Sequence, residues 1–103
     1  MQSILRTAKS TTPAELKSAI MAELQKNGIA VVDAIGANCT HILSKAYIMA
    51  RGHAMCFGND LSSKLSFVNL RMDNDPSQVK TGIRWTITIE KNEGDSKAFM
   101  EAL

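Results

Sequence analysis

Apolar positions in this chain switch between two periodicities, and the switches mark out its elements. Ile4, Leu5, Thr7 and Ala8 suit a short first strand within Ser3 to Lys9. Ser10-Thr11-Thr12-Pro13-Ala14-Glu15 then reads as a helix start. Thr12 can cap, Pro13 fits the first helical position, and Glu15 completes a capping box. Leu16, Ile20 and Leu24 follow at helical spacing with Ala19 beside them, and Asn27-Gly28 provides the stop. Ile29 to Ile35 is almost continuously apolar, which predicts a central strand.

A second helix is expected from the Gly36 turn to Gly52, with Asn38 as its N-cap. Its buried stripe would be Cys39, Ile42, Leu43, Ala46, Met49 and Ala50. His53 to Lys64 reads as a loop turning at Gly58-Asn59-Asp60, and Leu65 to Asp73 as a strand. The apolar phase slips between Phe67 and Leu70, which predicts a bulge. Asp73 to Ser77 forms a connection. Ile83, Trp85, Ile87 and Ile89 then alternate with Arg84, Thr86, Thr88 and Glu90 in a half-buried strand paired with its predecessor. Past Gly94, Asp95 or Ser96 can cap a last short helix carrying Phe99, Met100 and Leu103.

The order is therefore β-α-β-α-β-β with a C-terminal helix. It predicts an α/β (α+β) two-layer sandwich: one four-stranded mixed sheet, two helices on one face and a right-handed crossover between the first strands. Residues 1–92 form the expected domain and 93–103 a short helical tail. The 103 residues fit one core, and 45% apolar with 21% charged residues argues against disorder. No apolar run approaches the roughly 20 residues of a membrane span. No secretory leader pattern is visible, so a cytoplasmic address is expected, with two reduced cysteines, Cys39 and Cys56.

Catalytic patterns are weak. The acids are scattered, Ser and His stand outside any nucleophile-elbow motif, and Lys9-Ser10 lacks the glycines of a phosphate-binding loop. The expectation is a non-enzyme without cofactors. Cys39, His41, His53 and Cys56 offer zinc-ligand types, but Cys39 and His41 are two apart on a helix and diverge, so no metal site is expected.

The net charge of +2 leaves nucleic-acid binding to the placement of the cations. Lys9 and Ser10 lie between the first strand and helix, Lys45 and Arg51 on the second helix, and Arg71, Lys80 and Arg84 on or near the hairpin. Taken singly, each is most simply a solvated surface charge. Together, a loop, a helix and a basic hairpin could flank one groove for a phosphate backbone. Trp85 falls in the buried stripe, so base stacking is not predicted.

The chain resembles the stage V sporulation protein S (SpoVS) family, a branch of the Alba superfamily. The residues that carry the resemblance are Ala8-Lys9-Ser10, Ala34-Ile35-Gly36-Ala37, Lys45-Ala46 and Ala50-Arg51-Gly52, then Gly58, Asp60-Leu61, Phe67, Thr81, Ile83 and Glu90. This resemblance implies an Alba-like fold, a homodimer able to assemble further, and DNA or RNA binding with little sequence preference. It also implies a regulatory role in sporulation or development, including association with the nucleoid. The contacts it implies are Lys9 in the loop and Arg71, Lys80 and Arg84 around the hairpin; Ser10 beside Lys9 and, secondarily, Lys45 complete the candidate nucleic-acid-binding residues. Departures from the family pattern include Asn38 after the turn, a longer hairpin connection with Asp73 and Asp75, a single loop lysine, and the tail from Asn92. They keep an alternative in play: an interaction or assembly module on the same fold without nucleic-acid binding, docking through Phe99, Met100 and Leu103.

Overall fold

The structure is a computed structural model that describes residues 3–72 and 75–91. Its elements run β1 (Ile4–Arg6), α1 (Pro13–Asn27), β2 (Ile29–Ala34), α2 (Gly36–Met55), β3 (Asn59–Met72) and β4 (Asp75–Lys91). The strands form one mixed sheet in the order β1-β2-β4-β3, with β1 and β2 parallel and both β4 pairings antiparallel. This is an α+β fold of two helices on a four-stranded mixed sheet. The expected C-terminal helix, and the tail that was to carry it, lie outside the described residues.

Both helix starts follow from side-chain or backbone chemistry. Thr12 is extended, and its hydroxyl accepts from the Glu15 amide (3.2 Å) and donates to the Glu15 carboxylate (2.9 Å). Gly28 takes φ +75° and returns its amide to the Leu24 carbonyl, ending α1 as expected. The second helix departs from expectation at both ends. It begins at Gly36 with Ile35 as an N-cap lacking a side-chain bond, so Asn38 is inside the first turn rather than capping it. It also continues through Gly52 to Met55, because Ala54 extends the buried row of Ala46 and Ala50 by another turn.

One core holds the layers together. Leu16, Ile20 and Leu24 of α1 and Cys39, Leu43, Ala46 and Ala50 of α2 pack with Ala30, Val32, Ala34, Leu61, Trp85 and Ile87 of the sheet. Ile20, Leu43, Val32 and Ile87 are fully buried, each worth about 1.5–3 kcal/mol of apolar transfer. Ala46 and Ala50 let α2 lie close to the sheet. Met49, expected in the stripe, is instead exposed, since the core-facing row runs through Leu43, Ala46 and Ala50.

Strand boundaries show the largest corrections. β1 is confined to Ile4–Arg6 within the expected Ser3 to Lys9, because the chain turns tightly from Ala8 to Thr11. β3 starts at Asn59 and takes in half of the segment expected to be a loop, and α2 takes its first three residues. Ser62, Ser63 and Lys64 disguise the strand, although they pair with Thr88, Ile87 and Thr86. No register shift occurs at Phe67–Leu70; the irregularity is at Arg71/Met72. Asp75, Pro76 and Ser77 belong to β4 rather than to a connection.

The sheet body ends where Ala34 meets Ile83. Residues 75–82 of β4 run past this point with their β3 partners, an overhang of about 26 Å at ~3.3 Å per residue. The hairpin is thus an arm projecting from the body, and the long dimension of the molecule reaches 49 Å.

Candidate nucleic-acid interface

The arm emerges at the end of the molecule where β1 and β2 finish and both helices begin. In the body, β1 pairs parallel with β2, and β2 antiparallel with β4. The β1–α1 loop, the start of α2 and the free end of the hairpin therefore share one end. Lys9 and Ser10 occupy the loop's exposed tip. Beneath them the Thr11 amide donates to the Ala8 carbonyl (3.0 Å), and the Ala8 amide donates to the Thr11 hydroxyl (3.0 Å). The Thr7 amide anchors the loop to the Asp33 carbonyl at 2.9 Å.

On the arm, Arg71 is opposite Val79 and Lys80 opposite Leu70. Alternation along β4 puts Lys80 on the face away from the helices, while Arg71 and Val79 lie on the helix side. Both cations are exposed and have no ion-pair partner among the described side chains; the same holds for Lys9. Strands β1 and β4 are about 10 Å apart, two steps of ~4.8 Å across the sheet. Lys9 and Lys80 both lie beyond the Arg6–Asp33–Arg84 level, on the loop after β1 and on the arm of β4.

Two helix N-termini add to this positive end, because their unpaired amides carry a partial positive charge. In α1 the Glu15 carboxylate offsets it. In α2 there is no side-chain cap and no acid in the first turn, so it stays uncompensated. A recess of about 540 Å³ separates this helix start from the arm, bordered by Gly36, Thr40, Ser44, Phe67, Thr81 and Ile83. Gly82 lies in the cross-over: a Cβ there would stand 2.8 Å from the Ala34 carbonyl oxygen.

The remaining expected contacts are elsewhere. Lys45 is exposed on α2, about 13.5 Å along the helix from Gly36 at ~1.5 Å per residue. Arg84 stays in the sheet body, where Nε and Nη2 donate to the two carboxylate oxygens of Asp33 at 2.7 and 2.8 Å. That hydrogen-bonded pairing, ahead of the Coulombic attraction, raises the Arg84 pKa above the ordinary guanidinium range. Its charge serves the buried Asp33, not an open groove. Arg51 is similarly bound to Asp60 at 2.7 Å and fixes the end of α2 to the start of β3.

The zinc-type residues are dispersed. Cys39 is in the core, His41 is exposed, Cys56 is exposed, and the His53 ring contacts the Lys17 ammonium at 3.2 Å. Among the described residues, no three His, Cys, Asp or Glu side chains come together as a metal site. Trp85 is buried and meets Tyr47 edge-on at 5.4 Å, while the Tyr47 hydroxyl donates to the Leu61 carbonyl. Its indole is a core group, as its place in the alternating stripe predicts. No described helix is long and apolar enough to cross a membrane.

Sequence reasoning missed Asp33. It interrupts an apolar central strand, and a carboxylate in such a place requires a cation from another strand. That was the available signal. The partner, 51 residues away, is set by the β2–β4 register.

Comparison with curated proteins finds no match. A family model, Stage V sporulation protein S (SpoVS), matches residues 3–90, and the chain belongs to that sporulation-related family.

Proposed function

We propose that this SpoVS-family chain is a small dimeric nucleic-acid-binding protein of Alba-like fold, acting on DNA or RNA with little sequence preference. The observation that carries the reading is the shared end of the molecule. Lys9 and Ser10 on the loop, the uncompensated start of α2, and Arg71 and Lys80 on the arm all lie at one end of the molecule, beyond the sheet body. Lysine and arginine charges, hydroxyls and helix amides are the groups that contact phosphate and sugar, and such contacts carry no direct sequence information. Arg71 and Lys80 occupy opposite faces of the arm, so an arm lying along the polymer would present a cation to phosphates on either side of it. The role suited to these properties is a cytoplasmic, nucleoid-associated regulator in sporulation or a related developmental programme, binding rather than catalysing.

Dimerisation is supported by a different surface. Leu65, Phe67 and Val79 are exposed on the helix side of the hairpin, and Ile48 is exposed on α2. Phe67 is 83% exposed, an unusual position for a phenyl ring adjoining a core. A second copy covering this face would bury it and bring two arms into one particle. The same patch favours the second reading, in which the fold docks a protein partner and does not bind nucleic acid.

Fluorescence anisotropy with labelled duplex DNA and single-stranded RNA, titrated across salt, tests the main reading. Binding should weaken steeply from 50 to 200 mM salt, and Lys9→Glu with Lys80→Glu should weaken it further for both polymers. Absence of binding at 50 mM salt, or an unchanged affinity in the charge-reversed protein, refutes it. Light scattering of Phe67→Asp protein tests the dimer.

A further inference from the structure

The sheet has a second face, and its charge is not absorbed by the core. Residues at Ala30, Val32, Ala34, Trp85 and Ile87 point to the helices, so their neighbours along each strand point the other way. Neither described helix covers that side. Across it runs one row of Arg6, Asp33, Arg84 and Ser66, followed by a row of Ile4, Val31, Thr86 and Lys64. Thr88 and Ser62 form the next row with their hydroxyls 3.0 Å apart. Lys80 stands on the same side where the arm leaves the body.

Asp33 is the carboxylate within these rows; the next row, beyond Thr88 and Ser62, holds the exposed Glu90 opposite Asp60. Asp33 is only 2% exposed although it belongs to the face without helices, because the Arg84 guanidinium closes over both its oxygens. The single carboxylate in these rows is thus neutralised from within the sheet. Arg6, Lys64 and Lys80 remain exposed and have no ion-pair partner among the described side chains. The register places Arg6 and Lys64 about 16 Å apart, three strand spacings of ~4.8 Å sideways and two residues along. Ser66 and Thr86 supply hydroxyl donors in the rows of these two cations.

We infer that this open sheet face is a second contact surface for the phosphate backbone, with Arg6 and Lys64 as its anchors. The inference rests on the nucleic-acid reading above and extends it: the polymer gripped between loop and arm continues over the sheet, past Lys80. Charge complementarity selects the occupant: around these rows Arg6, Lys64 and Lys80, without ion-pair partners among the described side chains, outnumber the exposed carboxylate of Glu90 and, with the hydroxyls, suit a polyanion. The described side chains of these rows include no aromatic platform, so contact is to the backbone and not by base stacking.

The salt dependence of binding counts the phosphates each surface engages, which makes the two surfaces separable. Each lost phosphate contact lowers the slope of log K against log salt by ~0.9 on duplex DNA and ~0.7 on a single strand. Arg6→Gln with Lys64→Gln should therefore reduce the slope by about 1.8 on duplex or about 1.4 on single strands. Lys64→Gln alone should give half that change and, being remote from Asp33, avoids any effect on the buried pair. Thermal melting of each variant checks that the fold is kept.

An unchanged slope in Arg6→Gln/Lys64→Gln, alongside a reduced slope in Lys9→Gln/Lys80→Gln, overturns this inference and leaves the loop-and-arm reading intact. An altered sedimentation mass with an unchanged slope also overturns it, and makes the face a protein contact. No binding by the unsubstituted protein at 50 mM salt overturns both.

Discussion

Replacing Arg84 with valine removes the cation over Asp33 while keeping a residue suited to the strand. The carboxylate left behind is almost fully buried, and its two oxygens lose the donors at 2.7 and 2.8 Å. Breaking a buried pair from one side costs about 3–5 kcal/mol. Arg84 is itself 30% exposed, so water can reach part of the gap, and the lower limit of about 3 kcal/mol applies. For a domain of this size that loss corresponds to a melting point lower by about 12–24 °C.

Urea unfolding followed by circular dichroism at pH 7 measures the loss directly. Asp33→Val/Arg84→Val should recover most of it, because no unpaired charge then remains under the sheet face. The pH sign is also fixed. Arg84 has a raised pKa through its bond to Asp33, so from neutral pH up to the ordinary guanidinium range the guanidinium's contribution is complete. It is lost only as pH rises through the raised value. The stability gap between the natural and Arg84→Val proteins should hence stay constant from pH 7 to 10. A cost under about 1 kcal/mol for Arg84→Val, or a double variant no more stable than the single one, refutes this account of the pair.

Other substitutions test other links. Gly82→Ala places a Cβ 2.8 Å from a backbone oxygen and 3.0 Å from the Ile35 side chain. It should destabilise the domain by about 1–3 kcal/mol in urea titrations, the cost of overpacking. Thr12→Ala removes the acceptor for the Glu15 amide and should cost about 1 kcal/mol by the same measurement. Leu43→Ala, at a fully buried site between α2 and the sheet, should cost about 2–5 kcal/mol. Phe67→Asp should leave the melting point within a few degrees, since the ring is 83% exposed, while lowering the mass seen by light scattering.

Where the sequence was informative, one local rule decided the structure. The capping box at Thr12–Glu15, the glycine end at Gly28 and the alternation from Ile83 to Ile89 depend on neighbours within a few residues. Boundaries failed where distant contacts outweighed a local signal. Gly52 did not stop α2 because the core could still take Ala54 and Met55. Asn38 did not cap it because the helix begins at Gly36, directly after β2. The polar run Ser62-Ser63-Lys64 hid β3, whose identity comes from pairing with β4. For the site, Lys9, Ser10, Arg71 and Lys80 were legible as types and segments. Their meeting at one end follows from strand order, and Arg84 was read as available because the cross-strand demand of Asp33 had not been assigned.

The arm ties these features to function. A two-stranded hairpin is marginally stable by itself, so an overhang of about 26 Å gains from having its apolar side covered. Inside the body, α1 and α2 cover that side over Leu61, Trp85 and Ile87. From the outer edge of the body onto the arm the same face continues as Leu65, Phe67 and Val79, which stay exposed beside the two described helices. The proposed second copy would supply the missing layer and hold Arg71 and Lys80 at a fixed distance from Lys9. Arm order and phosphate affinity should therefore depend on protein concentration together. Hydrogen exchange makes the consequence measurable: amides of residues 66–71 should exchange more slowly as dimer forms, whereas amides of β2 should not respond. Equal protection of the arm at all concentrations would mean that its apolar face needs no second subunit, and would favour the partner-docking reading of Phe67.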